Sequence, residues 1–342
     1  MTTLKDLARH LGLSVTQVSR ALNGHSDVSA ATRARVEAAA AALHYQPNLS
    51  ARKLVSGRSG IVGLVLQGRP LALDGELFLQ FVGGLSAQFS RRGMQFILHV
   101  AEPGTDILDH YRRLIDGGAL DGFVILEPTV ADVRIDYLRE RGVPFVVHGR
   151  LQGVTEYAFF DVDNHAIGRD LTEILIRAGH RRIAFLNGPR ARVYAEERLR
   201  GHAEAMAAAG LPVDERLHRA QEMDENYGLV AAVELFSDPA TRPTGLVAGS
   251  AKVAAGVLAG LRALRLRVPQ DVSVVAHDDL LPTVQTEQLA PPLTVTASPL
   301  EASWAPLAAA LAGVIAGEPV AAHQQVWPHD RVARQSVAAP AA

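Results

Sequence analysis

The chain is 342 residues long, 48% hydrophobic and 20% charged, a composition that suits a folded protein of more than one ordinary domain with sizeable apolar cores. It has no cysteine, which excludes disulfides, thiolate metal sites and cysteine nucleophiles, and its 13 histidines stand without metal-ligand spacing. The net charge of −2 hides an asymmetry: residues 1–60 carry eight Lys/Arg against three Asp/Glu and the remainder 26 against 33, so a basic head suited to a polyanion precedes an acidic body.

In TTLKDLARHLG, Leu4, Leu7, Ala8 and Leu11 recur at helical spacing, Thr3 stands at the cap with Asp6 three residues on, and Gly12 stops the helix. Ser14-x-x-Gln17 has the capping-box form and starts a second helix on the stripe Val18, Leu22. Val15, Thr16, Gln17, Ser19 and Arg20 lie off that stripe, a set of methyl and hydrogen-bonding groups suited to base edges and phosphates. A third helix follows, capped by Ser29, with Val36, Ala40 and Leu43 inward. Pro47 and Gly57 then bound PNLSARKLVSG, too short to be a stable helix alone in water.

From Ile61 onward IVGLVL, QFILHV, DGFVIL, PFVVH, RIAFLN, TGLVAG and VSVVAH read as buried parallel strands separated by stretches of helical length, a doubly wound α/β pattern. In such sheets ligands sit beyond the carboxyl ends of the strands, so the residues after each run are the candidates for a binding site. Arg150 follows PFVVHG, Asp278 closes VSVVAHD, and Arg198 lies in AEERLRGHAEAM; a planar guanidinium and a carboxylate together suit adjacent hydroxyls. Asp278 serves equally well as a cap for the next segment. Phe78 is a candidate stacking face, in competition with Phe81 or simple core packing, and Trp327 and Trp304 are further aromatic candidates. His148, Asp163 and Asn164 stand at strand-to-helix junctions, Asp163 also as a plain helix cap.

The segment TLKDLARHLGLSVTQVSRALNGHSDVSAATRARVEAAAAALHYQPN resembles, nearly end to end, the DNA-binding domain of the lactose-repressor (LacI/GalR) family, and the body resembles the effector domain of the same family. The resemblance implies a small all-α helix-turn-helix head at 1–46, a hinge helix or linker at 47–59, and a two-lobed, periplasmic-binding-protein-like α/β domain at 60–342. The expected lobes are 60–161 with 293–322, and 162–292 with 323–342. It implies that Thr3, Ser14, Val15, Thr16, Gln17, Ser19, Arg20 and Asn23 face double-stranded operator DNA. Val15 is expected to meet a thymine methyl or merely fill space, and Arg20 to read a base or clamp a phosphate. Asn48, Ser50, Arg52 and Lys53 would lie along the DNA backbone or groove, and Leu54 would wedge into the central base step. It further implies a homodimer and a sugar effector in the interlobe cleft, with Phe78, His148, Arg150, Asp163, Arg198, Met223, Ser250, Asp278 and Trp327 around it and no cofactor or metal.

Ser250 and Ala251 replace the Asn-Asp pair common in that family, and Met223 replaces an aromatic, so no relative's ligand contacts transfer whole. The HGR and YAFFDVDN segments resemble regulators of α-glucoside or disaccharide use. The alternatives are a regulator using a non-sugar effector and a transporter's sugar-binding protein, but the latter has no use for residues 1–57 and needs an export signal, which the N-terminus lacks. An enzyme is not expected, because G-x-x-x-x-G-K, G-x-S-x-G and H-E-x-x-H are all missing. With no run of about 18 apolar residues, the expected location is cytoplasmic and no membrane partner is foreseen.

Overall fold

The computed structural model describes residues 2–22, 27–43, 45, 58–67, 75–153 and 155–340. The hinge segment and the sites expected at Asn23, Asn48, Ser50, Arg52, Lys53 and Leu54 lie outside the described residues. Contacts divide the chain into two units, residues 1–60 and 61–342.

The first unit holds α1 (Leu4–Leu11), α2 (Val15–Leu22) and α3 (Ala30–Ala42). Thr3 Oγ1 accepts from Asp6 N at 3.2 Å while Asp6 accepts from Thr3 N at 3.0 Å, and Gly12 closes α1 in the left-handed region at φ 66°. A second reciprocal pair starts α2: Gln17 N donates to Ser14 Oγ and Ser14 N to Gln17 Oε1, both at 3.1 Å. Ser29 caps α3. Leu7, Val18 and Val36 are fully buried where the helices meet, with Ala8, Ala21 and Ala39; Leu22, Ala40 and Leu43 pack at the margin rather than the centre.

The second unit contains two six-stranded sheets built to one plan. The first comprises β1 (Ile61–Gln67), β2 (Gln95–Ala101), β3 (Gly122–Ile125), β4 (Phe145–His148), β5 (Ala158–Val162) and β11 (Gln324–Trp327), in the order β11-β5-β4-β3-β1-β2. The second comprises β6 (Ile183–Asn187), β7 (His218–Ala220), β8 (Gly245–Ala248), β9 (Ser273–Asp278), β10 (Thr294–Ala297) and β12 (Asp330–Val332), in the order β12-β10-β9-β8-β6-β7. All pairings are parallel except that of β10 with β12. Helices α4 (Gly75–Arg91), α5 (Ile107–Asp116), α6 (Val133–Glu140) and α11 (Trp304–Ala316) cover the first sheet; α7 (Asn164–Arg177), α8 (Val193–Ala208), α9 (Glu225–Phe236) and α10 (Ala251–Ala263) cover the second. No helix among the described residues is long and apolar enough to cross a membrane.

The lobe boundaries expected at 292 and 323 are corrected. β10, expected in the first lobe, pairs with β9 in the second sheet, and the chain crosses only after Ala297. β11, expected in the second lobe, pairs with β5 in the first sheet, and the chain returns between Trp327 and Asp330. β10 (TVTA) and β11 (QQVW) are short and lack a long apolar run, so sequence patterning gave no register for the crossovers. The first crossover, after Val162, lies where it was expected.

Two glycines set the spacing that matters for the site. A Cβ on Gly201 of α8 would collide with the carbonyl oxygen of His165 on α7, and one on Gly168 of α7 with the carbonyl oxygen of Arg198 on α8. Backbone-to-backbone contact between these helices brings Arg198 to the start of α7. Trp304, an aromatic candidate for the cleft, instead lies where a Cβ on Gly84 would be, packed between α11 and α4.

Candidate functional site: an exposed helix face and an interlobe cleft

On α2, Ser14, Val15, Thr16 and Gln17 are exposed and Ser19 and Arg20 half-buried. Ser14 and Gln17 are partly committed to capping each other, which leaves the Gln17 amide NH2 as an outward donor. Thr3 is likewise engaged with Asp6, its hydroxyl donating at 2.6 Å. Arg20 Nη2 pairs with Asp27 Oδ2 at 2.7 Å, and that hydrogen bond raises the guanidinium pKa. Arg20 thus has an intramolecular counter-ion, which a phosphate approaching this face would have to replace.

In the body, a cavity of about 760 Å³ lies beyond the carboxyl ends of strands from both sheets. One side is built from the first lobe: Gln67 ending β1, Leu126 and Glu127 after β3, Phe78 and Phe81 on α4, and Asp132 with Arg134 where α6 begins. The other side comes from the second lobe: Arg192 and Tyr194 at the start of α8, residues 222–226 leading into the first turn of α9, Ser250 to Lys252 at the start of α10, and Asp278 with Asp279 at the end of β9. This is the position that the doubly wound plan assigns to a ligand.

Of the effector residues expected from sequence, Phe78, Met223, Ser250 and Asp278 line the cavity. Their roles differ from the simple expectation. Ser250 Oγ caps α10 by accepting from Val253 N at 3.3 Å, and both Asp278 oxygens are engaged, with Leu280 N at 2.8 Å and Thr286 Oγ1 at 2.5 Å. The next residue, Asp279, is the freer carboxylate: burial opposes its ionisation, but His277, Arg198 and His148 around it prevail and hold its pKa below the usual range.

His148, Arg150, Asp163, Arg198 and Trp327 are not in the cavity wall. Arg198 lies behind it, donating from Nε to Asn164 Oδ1 at 2.8 Å and from Nη1 to the Gly249 carbonyl at 2.6 Å, with its guanidinium 5.4 Å from the centre of the Tyr194 ring. Asn164 Nδ2 donates to Asp161 Oδ1 at 3.1 Å, and Arg150 Nε meets Asp161 Oδ2 at 3.3 Å. Burial raises the Asp161 pKa to about 7 despite Arg150. His148 contacts the rings of Phe81 and Phe160, and burial lowers its pKa to about 4, which keeps it neutral. Asp163 caps α7 through Ala166 N, and Trp327 sits edge-on to Phe160 with 41% of its surface exposed.

Sequence reasoning missed Glu127, Arg192, Tyr194, Glu222 and Asp279. Glu127 directly follows the run DGFVIL, so the strand-end rule pointed to it; Glu222 follows the three-residue β7, which carries no pattern of its own. Glu127 and Arg192 form a latch between the lobes. Val130 N donates to the Ala191 carbonyl and Val193 N to the Pro128 carbonyl, both at 3.0 Å, making an antiparallel bridge of Thr129 with Arg192. Arg192 Nη1 donates to the Glu127 carbonyl at 2.8 Å and Nη2 meets Glu127 Oε2 at 3.1 Å. Asp132 holds the loop from below, accepting from Thr129 N at 3.0 Å and from Arg134 Nη2 at 2.6 Å. Glu127 itself is left-handed at φ 48°, a conformation a non-glycine residue keeps only when its surroundings fix it. Burial raises the Glu127 pKa although Arg192 opposes the shift.

Among the described residues no group of three or more His, Asp or Glu side chains is placed to hold a metal ion.

Comparison with known proteins gives a consistent picture. Residues 3–48 match the model of bacterial regulatory proteins of the lacI family, and residues 172–337 the model of a periplasmic binding protein-like domain. The chain is 36% identical over 337 residues to the HTH-type transcriptional regulator AglR of Rhizobium meliloti (strain 1021), covering 97% of this chain and 93% of that one. A solved complex of the transcriptional regulator CelR with cellobiose superposes with a TM-score of 0.70 at 32% identity, covering 98% of this chain and all of the other. The lac repressor dimer bound to operator and the anti-inducer ONPF superposes with a TM-score of 0.78 at 25% identity, covering 99% of each.

Proposed function

The chain belongs to the lacI family of bacterial regulatory proteins, and from that premise we propose that it is a cytoplasmic homodimeric repressor of sugar-utilisation genes. It is a transcriptional regulator and not an enzyme. Two heads read the half-sites of a pseudo-palindromic operator through Val15, Thr16, Gln17 and Arg20 on α2. A sugar in the interlobe cavity changes the operator affinity, and no cofactor takes part. The observation that carries this reading is the cleft of about 760 Å³ between two sheets of one plan, walled by carboxylates and by the rings of Phe78, Phe81 and Tyr194.

Carboxylates accept hydrogen bonds from paired hydroxyls, and ring faces cover the C–H faces of a pyranose, so the wall has both halves of sugar recognition. A sugar touching both lobes changes the balance of lobe arrangements only by its differential affinity for them, a coupling of roughly 1–3 kcal/mol. Fluorescence anisotropy on the promoter DNA of its own operon, titrated with mono- and disaccharides, tests the reading. One sugar is expected to shift the operator Kd about 5- to 150-fold. Tight DNA binding that no sugar moves would rule out the sugar effector.

A further inference from the structure

Arg198 is a buried cation held by neutral oxygens. It is 5% exposed, and its Nε and Nη1 donate to the Asn164 side-chain carbonyl and the Gly249 main-chain carbonyl. Asp279 and Asp161 act on it through space, and burial prevails over both to hold its pKa below the ordinary arginine value. A guanidinium nonetheless keeps its charge in a protein, and a buried charge needs compensation. Part of that comes from a ring face: the guanidinium carbon lies 5.4 Å from the centre of the Tyr194 ring, within the range of a cation–π contact. Tyr194 and Arg198 are four residues apart on α8 and so share one face of the helix. Tyr194 lines the cavity and Arg198 does not, so the ring stands on the cavity side of the cation.

The position of Tyr194 is built for. A Cβ on Gly188, just after β6, would collide with Tyr194 Oη, and the three nearest atoms it would meet all belong to Tyr194. Gly188 is not at positive φ, so backbone conformation does not call for glycine there. What it supplies is the room in which the tyrosine lies over Arg198.

The chemical consequence is local. A guanidinium open to the cavity would present a donor fork to a carboxylate or phosphate. Behind Tyr194 it acts on the wall only indirectly, by favouring the ionised form of Asp279. A ligand at this place therefore meets a ring face and an acceptor, where Arg198 alone would give it a donor.

We propose that Tyr194 is a specificity-determining residue that covers Arg198 and withholds it from the ligand, with Gly188 as the residue that makes room for the cover. The cover rests on Gly188, Tyr194 and Arg198 alone; that it sorts sugars rests on the sugar-effector reading above.

The test uses the full chain in two assays. Phenylglyoxal condenses with accessible guanidinium groups, and mass spectrometry of the labelled peptides reports access to Arg198 against the exposed Arg262 and Arg265 as internal standards. In the parent, Arg198 should label on the order of 100-fold more slowly than the standards, as a group reached only by local opening. Tyr194→Phe keeps the ring and should change that rate by less than about twofold. Tyr194→Ala should raise it at least about tenfold, and so should Gly188→Ala, which keeps both side chains and only displaces the ring. In calorimetric titrations with D-glucuronate and D-glucose, Tyr194→Ala should raise the ratio of glucuronate to glucose affinity about 10- to 100-fold, the worth of a charge-assisted hydrogen bond.

Arg198 as reactive in the parent as the standards overturns the cover. So does an Arg198 that stays unreactive in both alanine variants while their circular dichroism matches the parent's. An unchanged affinity ratio in a variant whose Arg198 has become reactive overturns the role in specificity. The labelling needs no sugar, so it decides the cover even where the operator assay finds no sugar effector, and the two readings fail separately.

Discussion

The latch between the lobes makes the most demanding prediction. Glu127→Gln keeps the shape and one acceptor for Arg192 but removes the charge. At the observed 3.1 Å a full ion pair is worth about 5 kcal/mol of gross attraction at an effective dielectric of 20. Much of that is lost to desolvation, since burial is the larger influence on Glu127, and more to screening, since Arg192 is 25% and Glu127 32% exposed. About 1–2 kcal/mol should remain as the advantage of a charge-assisted over a neutral hydrogen bond. The two backbone hydrogen bonds of the latch are untouched by the substitution, so the lobes still close, but less firmly. Stopped-flow binding of the effector should show faster release and a Kd raised about 5- to 30-fold. Arg192→Gln should have an effect of the same sign, and the double variant should show a coupling energy of about 1 kcal/mol. Release rates within twofold of the parent and a coupling energy near zero would refute the latch.

Three further outcomes follow from the geometry. Asp27→Asn frees Arg20 from its 2.7 Å partner, so operator affinity should rise about 3- to 10-fold with a steeper salt dependence in an anisotropy series; an unchanged salt slope would mean that Arg20 does not reach a phosphate. Gly201→Ala forces a methyl against the His165 carbonyl, and thermal unfolding should show a loss of about 2–4 kcal/mol together with weakened effector binding; full parental stability would show that α7 and α8 separate freely. Asp161, raised from 3.8 to about 7 by burial, stays protonated in the fold while it ionises in the unfolded chain. Its contribution to stability is therefore fully present below about pH 4 and lost as pH rises through about 7, a loss of about 4 kcal/mol that Asp161→Asn should abolish. Urea unfolding of both chains from pH 4 to 8 measures the difference, and parallel curves would contradict the assignment.

Local signals carried much of the fold. Both capping boxes in the head follow from Thr3-x-x-Asp6 and Ser14-x-x-Gln17, because a cap is decided by residues within one turn. Seven strands follow from apolar runs, while five were hidden: β5, whose run AFFDV is broken by Asp161, and β7, β10, β11 and β12, which have three or four residues each and, as short edge or crossover strands, need no continuous apolar run. The site was harder to read. Arg198 occupies the expected place in the chain, yet close contact at Gly168 and Gly201 carries its guanidinium behind the wall to Asn164, a consequence of tertiary spacing that residue identity does not show. Asp278 and Asp279 are neighbours at a strand end, where side chains alternate between faces. Val274 and Ala276 pack with α9 and α10, Val275 with α7, and the same alternation gives Asp278 to the turn around Thr286 and Asp279 to His277.

The polar layer behind the cavity explains how a small ligand could be felt at a distance. Asp279, in the wall, is 3.4 Å from His277, whose ring also bonds Thr296 on β10 and Ser298 at the second crossover. Arg198, within electrostatic reach of Asp279, bonds Asn164, which bonds Asp161 at the first crossover. Asp163, between them, donates its N–H to the Trp327 carbonyl where the third crossover begins. The wall is thus joined through His277 to the second crossover and, by the charge of Arg198 rather than by a hydrogen bond, to the Asn164–Asp161 pair at the first, in a buried interior where unpaired groups are costly. A hydroxyl donating to Asp279 competes with His277 and Arg198, so ligand binding and the setting of the crossovers draw on the same few partners. The latch is a fourth tie between the lobes, so movement about the crossovers requires the Glu127–Arg192 pair and the two backbone hydrogen bonds of the Thr129–Arg192 bridge to break together.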